Sequence, residues 1–174
     1  MKRHYLGDSY DAVKRLWQEL LANWAPLYAE PMFIPEDVRR EFSVFTRIPM
    51  LPAMQTSTHS IFNDPDTGIR LPYGDNQSEG RTHIVLSTIR QQLKHAAVRC
   101  VLTYDQSHHR LPGFSAKDQR NAKVQWLANA GCPSFYYVSH APFLFAFPKR
   151  IYMDQVRSLL GGAGIPEGRI KVPE

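Results

Sequence analysis

Alternating apolar runs and helical-period segments predict an α/β fold, a single domain over residues 1–174. Three observations carry that expectation. Short apolar runs take turns with segments whose apolar residues recur at helical spacing, the order that builds a mainly parallel sheet with helices on both faces. Several of the apolar runs end in turns rich in Asp, Pro and Gly. Near the C-terminus two aromatic runs, 135–139 and 143–147, flank the short link His140-Ala141-Pro142, which predicts an antiparallel hairpin at one sheet edge. Together they describe a Rossmann-like three-layer arrangement.

His4-Tyr5-Leu6 reads as a first strand that closes at Gly7-Asp8, placing Asp8 at a strand's C-terminal end. Val13, Leu16, Trp17, Leu20, Leu21 and Trp24 then share one helical face, with Asp8 or Ser9 available as cap. Pro35 followed by Glu36 and Asp37 suits the first turn of a second helix over Val38, Phe42 and Phe45, ended by Pro49 and Pro52. Ser60-Ile61-Phe62 is a brief strand leading into the turn Asn63 to Ile69, and Leu71 to Gly80 is a polar loop that could serve as a lid. Thr82 is the expected cap of a third helix using Val85, Ile89 and Leu93, after which Cys100 to Tyr104 forms a strand ending in Asp105-Gln106. Ser115 and Asp118 have capping-box spacing for a helix through Ala122, Trp126 and Leu127, stopped by Gly131. A last helix uses Val156, Leu159 and Leu160, so the glycines at 161, 162 and 164 follow a helix and read as a C-cap and loop, not a phosphate cradle.

The composition excludes some classes outright. Hydrophobic residues make up 43%, with 9 Phe, 8 Tyr and 3 Trp, too much apolar surface for a disordered chain. No run approaches the roughly 18 to 20 apolar residues of a membrane-spanning helix, and the first residues lack a secretory pattern. Cys100 and Cys132 have no metal-ligand spacing, and a reducing, cytoplasmic setting is expected. The formal charge of +5 favours a polyanionic partner, nucleic acid or a nucleotide, and no membrane partner; the oligomeric state is left open. Walker, G-x-G-x-x-G, H-E-x-x-H and G-x-S-x-G patterns are all missing.

Chemistry concentrates in three acidic turns beyond inferred strands: Gly7-Asp8-Ser9-Tyr10-Asp11, Asn63-Asp64-Pro65-Asp66 and Tyr104-Asp105-Gln106. Ligands of open α/β sheets bind outside the carboxyl ends of strands, so these turns are expected to converge on one cleft. Converging carboxylates would suit Mg²⁺ or Mn²⁺, with Asp8, Asp64 and Asp105 as ligands and Asp66 beside them, because hard cations take oxygen ligands. Arg110 would clamp a phosphate and His108 or His109 could move a proton near neutral pH. Lys14, Tyr104, Gln106 and His108 complete the expected substrate contacts. This predicts a divalent-metal-dependent hydrolase acting on a phosphodiester of nucleic acid or a nucleotide. The same residues also have structural uses, Asp8 as a helix cap, Asp64 and Asp66 as turn formers, and Asp105 as a loop residue. A non-catalytic nucleic-acid-binding or interaction module is a further expectation.

Gly7-Asp8-Ser9-Tyr10-Asp11, Asp64-Pro65-Asp66-Thr67-Gly68-Ile69 and Tyr104-Asp105-Gln106-Ser107 with Arg110 resemble turns in a group of uncharacterised bacterial and phage-associated proteins. The order strand, Asp-Pro turn, helix, strand is also similar to a region of Rossmann-like amino-methyltransferases acting on DNA or RNA. In that family an Asp-Pro-Pro-aromatic turn orients the target amine; here Asp66 and Thr67 stand at the last two positions. The resemblance covers about a quarter of the chain and implies S-adenosylmethionine as cofactor, with the Asp64 turn facing the acceptor.

Overall fold

A computed structural model of the chain describes residues 6–71, 80, 82–106 and 115–172. Its first helix starts where a side chain satisfies the free amides of the first turn. Asp8 Oδ1 accepts from the Tyr10 and Asp11 amides at 2.8 and 3.2 Å, so α1 runs Ser9–Leu21. Of the expected first strand, His4 and Tyr5 lie outside the described residues and Leu6 sits in a turn. Asp8 is therefore seen as a helix cap, and the first described strand is β1, Leu27–Ala29, which the sequence reading left unassigned.

A one-turn helix at Glu36–Val38 leads into α2, Arg39–Thr46, which ends as Arg47 turns left-handed with φ 60°. Val38 and Phe42 are buried as expected, but Phe45 is 44% exposed; it comes from the last turn of α2 and leans over Gly7. β2 is His59–Asn63, and a short parallel pair, β3 at Gly68–Ile69 with β4 at His83–Ile84, follows it. That pair displaces the expected Thr82 cap. The third helix, α3, runs Leu86–Leu93 from Val85 without a side-chain cap, while the Thr82 carbonyl accepts from the Thr67 amide and hydroxyl at 2.9 and 2.6 Å. Residues 72–79 of the expected lid loop lie outside the described residues.

β5, Val98–Tyr104, precedes α4, Ala116–Asn129, whose start carries the full Ser115–Asp118 capping box. The aromatic strands are β6, Ser134–Tyr137, and β7, Phe143–Ala146, followed by α5, Arg150–Gly162, and a final β8, Ile170–Lys171. The main sheet has the order β1-β2-β5-β7-β6-β8. β1, β2 and β5 are parallel; β7 is antiparallel to β5 and to β6, so β6 runs with the parallel set. The hairpin is thus inside the sheet, because β8 pairs beyond β6. The result is a mixed α/β architecture with a mostly parallel central sheet.

Alternation along each strand sends apolar residues to opposite faces. Phe62, Leu102, Phe143 and Phe145 pack with α1, α2 and α5, while Ile61, Val101, Leu144 and Tyr136 pack with α3 and α4. On α5 the buried face is Met153, Val156 and Leu160, and the expected Leu159 is 38% exposed. Trp17 centres the first cluster, its ring edge-on to Tyr137, Phe145 and Phe143 at centroid distances of 4.8, 5.3 and 5.9 Å. Truncating this fully buried ring leaves a void that its rigid neighbours cannot fill. Trp17→Ala is expected to lower unfolding free energy by about 3–5 kcal/mol, read from urea denaturation curves.

Candidate functional site

A cavity of about 430 Å³ opens at the C-terminal ends of β2 and β5, lined by Asp8, Tyr10 and Lys14 of the α1 region, the Asp64–Thr67 turn, Thr82, Tyr104 and Gln106. This is the crevice expected where parallel strands deliver their following loops. Of the three acidic turns, those at Asp8 and Asp64–Asp66 reach it directly, and the third contributes Tyr104 and Gln106. Arg110 and His108, with His109, lie outside the described residues.

The turn after β2 is built from its flanks inward. Buried Asn63 exchanges hydrogen bonds with Gln92 of α3 at 2.9 and 3.0 Å, anchoring the strand end. The next residue, Asp64, is only 3% exposed. Its Oδ2 accepts from Lys14 Nζ at 2.8 Å, and the same ammonium reaches Asp11 Oδ1 at 3.0 Å. Asp11 Oδ2 in turn accepts from the Gly7 amide at 2.7 Å, tying the entry loop to the helix. No second donor among the described residues pairs with Asp64, so its Oδ1 is left for whatever enters the cavity. Asp66 beside it is exposed.

Tyr10 and Tyr104 form an aromatic wall, ring centroids 5.8 Å apart and nearly perpendicular. Gln106 Nε2 donates to the Tyr10 hydroxyl at 3.0 Å and so holds one ring of that wall. Burial, with the neighbouring Tyr10, Asp64, Asp8 and Asp105, pushes the Tyr104 phenol well above its ordinary value, so it stays protonated and can donate.

Asp105 departs from the expected cleft. It is 4% exposed and does not line the cavity: Oδ2 accepts from Lys123 Nζ at 2.7 Å and Tyr136 Oη at 2.6 Å, and Oδ1 from the Ile69 amide at 2.9 Å. Of the expected metal ligands, Asp8 and Asp64 line the cavity, Asp8 also capping α1 and Asp64 pairing with Lys14, while Asp105 is turned inward and does not join them. Among the described residues no group of three or more His, Cys, Asp or Glu could hold a metal ion. Among the described residues the arrangement lacks the several oxygens turned to one point that Mg²⁺ or Mn²⁺ needs in a hydrolytic centre.

Known proteins supply no relative from which residue roles could be taken over: the chain has no significant match to a family model, a curated protein or a solved structure. Among the described residues no helix is long and apolar enough to cross a membrane.

Sequence reasoning found most of the cavity but missed how its charges are settled. Lys14, expected among the substrate contacts, lines the cavity and also pairs with two internal carboxylates. The signal was present in the i, i+3 spacing of Asp11 and Lys14 on a helix that also buries Trp17. Tyr136 and Lys123 carried no such signal, since their partner arises only from packing of α4 and β6 against β5.

Burial alone lowers the Lys14 pKa, but Asp64 and Asp11 outweigh it and the net shift is upward. A raised lysine contributes stability that is complete below its unfolded value of about 10.4 and is lost as pH rises through the higher folded value. Lys14→Met leaves two buried carboxylates without their cation and is expected to cost about 3–5 kcal/mol at pH 7. Urea denaturation from pH 7 to above pH 11 should show the gap between wild type and variant closing only at the alkaline end.

Proposed function

We propose that the cavity is the acceptor site of a Rossmann-like methyltransferase acting on an amine of a nucleobase, in nucleic acid or a nucleotide. The observation that carries this reading is the Asp64 carboxylate, almost wholly buried, fixed through one oxygen by Lys14 and presenting the other to the cavity. An acceptor oxygen that opens on the cavity, with no hydrogen-bond partner among the described residues, favours a ligand that brings a donor. An amine N–H is such a donor, and the Tyr10 and Tyr104 rings offer the apolar wall that a planar base needs.

Support also comes from chain order. The strand, Asp-Pro turn, helix and strand behind the methyltransferase resemblance correspond to β2, the Asp64–Thr67 turn, α3 and β5, with the turn at the C-terminal end of a parallel strand. Helices packed on both faces of the sheet accord with a three-layer reading. Metal-dependent hydrolysis has less support, since Asp105 is held away from the cavity and no group of three or more metal-ligating residues gathers among the described residues.

S-adenosylmethionine is the methyl donor this reading implies; its sulfonium is cationic, and Asp8 and Asp66 in the cavity lining would place negative charge near it. When bound, that cofactor supplies an electrophilic methyl group. Asp64 Oδ1 would accept from the acceptor amine, aim its lone pair and take up the proton that the nitrogen releases as the new N–C bond replaces the methyl–sulfur bond, whose electron pair stays on sulfur. It also stabilises positive charge developing on the nitrogen, in a site where Lys14 prevents the carboxylate from turning away.

The test is incubation with methyl-labelled S-adenosylmethionine and short DNA or RNA oligonucleotides. Label is expected on a base amine, with a rise in melting temperature on adding the cofactor alone. Asp64→Asn should reduce incorporation by about 10²-fold or more. Oligonucleotide binding with neither incorporation nor a cofactor-dependent shift would overturn methyl transfer in favour of a binding module.

A further inference from the structure

The buried cluster Lys123–Asp105–Tyr136 lies behind the cavity and takes no part in lining it. Such a group is expensive to bury: Lys123 is wholly buried and Asp105 nearly so, and burial outweighs the attraction of Asp105 so that the Lys123 pKa falls. A hydrophobic trio would fill the same volume at less cost. What the charged trio does that an apolar one would not is present a fixed acceptor to a specific backbone amide.

That amide belongs to Ile69, the residue that closes the Asp64 turn. Asp105 Oδ1 accepts from it at 2.9 Å, while Oδ2 is gripped from α4 by Lys123 and from β6 by Tyr136. Asp105 is itself placed by its own amide, which donates to the Pro142 carbonyl at 3.0 Å. Gly68 makes the approach possible. Its φ is +118°, and a Cβ there would lie 2.3 Å from Asp105 Oδ1 and 2.8 Å from Asp105 Cα. The turn is therefore clamped at both ends, by Asn63 in β2 and by Ile69 on Asp105, with Thr67 held sideways on Thr82.

We propose that Asp105 is a positioning residue: oriented by Lys123 and Tyr136, it fixes the Asp64–Thr67 turn through the Ile69 amide and so sets where the Asp64 carboxylate stands in the cavity. The catalytic consequence rests on the methyl-transfer reading of the cavity; the positioning itself does not. It also explains why the third acidic turn faces inward while its neighbours Tyr104 and Gln106 face the cavity.

The test uses the full chain and three variants, none of them a cavity-lining residue. Gly68→Ala drives a methyl group into Asp105, Asp105→Asn removes the charge that Lys123 holds, and Tyr136→Phe deletes one donor while keeping ring, lysine and amide. Two readouts are taken. Amide hydrogen exchange at Ile69 is expected to speed up at least about 10-fold in Gly68→Ala and Asp105→Asn, and less in Tyr136→Phe, while Leu102 in β5 stays protected. In methyl transfer, kcat is expected to fall about 10-fold or more in the first two variants with the KM for S-adenosylmethionine unchanged, since the turn orients the acceptor. Unchanged Ile69 exchange, or equal acceleration at Ile69 and Leu102, overturns the positioning role. If the two strongest variants do not fold, Tyr136→Phe alone decides by the same exchange comparison. Absence of methyl transfer in the wild type would overturn the methyl-transfer reading and leave the exchange result to judge Asp105 separately.

Discussion

The ammonium of Lys14 joins the first helix to the end of a central strand. Only by sitting between Asp11 and Asp64 can it remain charged out of water, and those contacts at 3.0 and 2.8 Å bring the start of α1 against the turn after β2. Every wall of the cavity follows from that approach. Asp8 caps the same helix, Tyr10 stands in its first turn, and Tyr104 closes the far side with its ring centroid 5.7 Å from the lysine nitrogen. An uncharged residue at position 14 would leave two carboxylates to repel each other in a dry site.

A second buried lysine shows the other solution to the same problem. Lys14 sits between Asp64 and Asp11 and its pKa rises; at Lys123 burial is the larger effect, with Arg120 adding to it, and the pKa falls despite Asp105. Lys123 is held instead within a network that adds the Tyr136 hydroxyl and the Ile69 amide around Asp105. The two networks take different faces of the sheet, yet both end on the stretch from Asp64 to Ile69. The short Asp64–Thr67 turn that leads into β3 is thereby held from outside as well as by the β3–β4 pairing.

That rigidity bears on the chemistry. An acceptor on a loop free to move would lose much of its orienting power. Here the Asp64 carboxylate is immobilised through one oxygen and available through the other. Such a group is suited to accept from an N–H donor, which is the use proposed for it.

Much of the architecture was legible along the chain because it rests on local physics. The capping box at Ser115, the face of Trp17 on α1, the aromatic hairpin and the strands before the Asp64 and Asp105 turns all follow from periodicity, capping and turn propensity, which neighbouring residues decide among themselves. The misreadings arose where a distant segment intervened. Thr82 gave its carbonyl to Thr67 and left α3 uncapped, β8 moved the hairpin off the sheet edge, and Phe45 stayed half in water over Gly7. For the site, the sequence pointed to the loops after the strands of a parallel sheet, and the Asp64 turn, Tyr104 and Gln106 do line one cavity there. Only the tertiary structure decided which carboxylates face the cavity. The charge state and direction of a buried Asp depend on the cation that packing brings to it, and Lys14 and Lys123 reach theirs across 50 and 18 residues of chain.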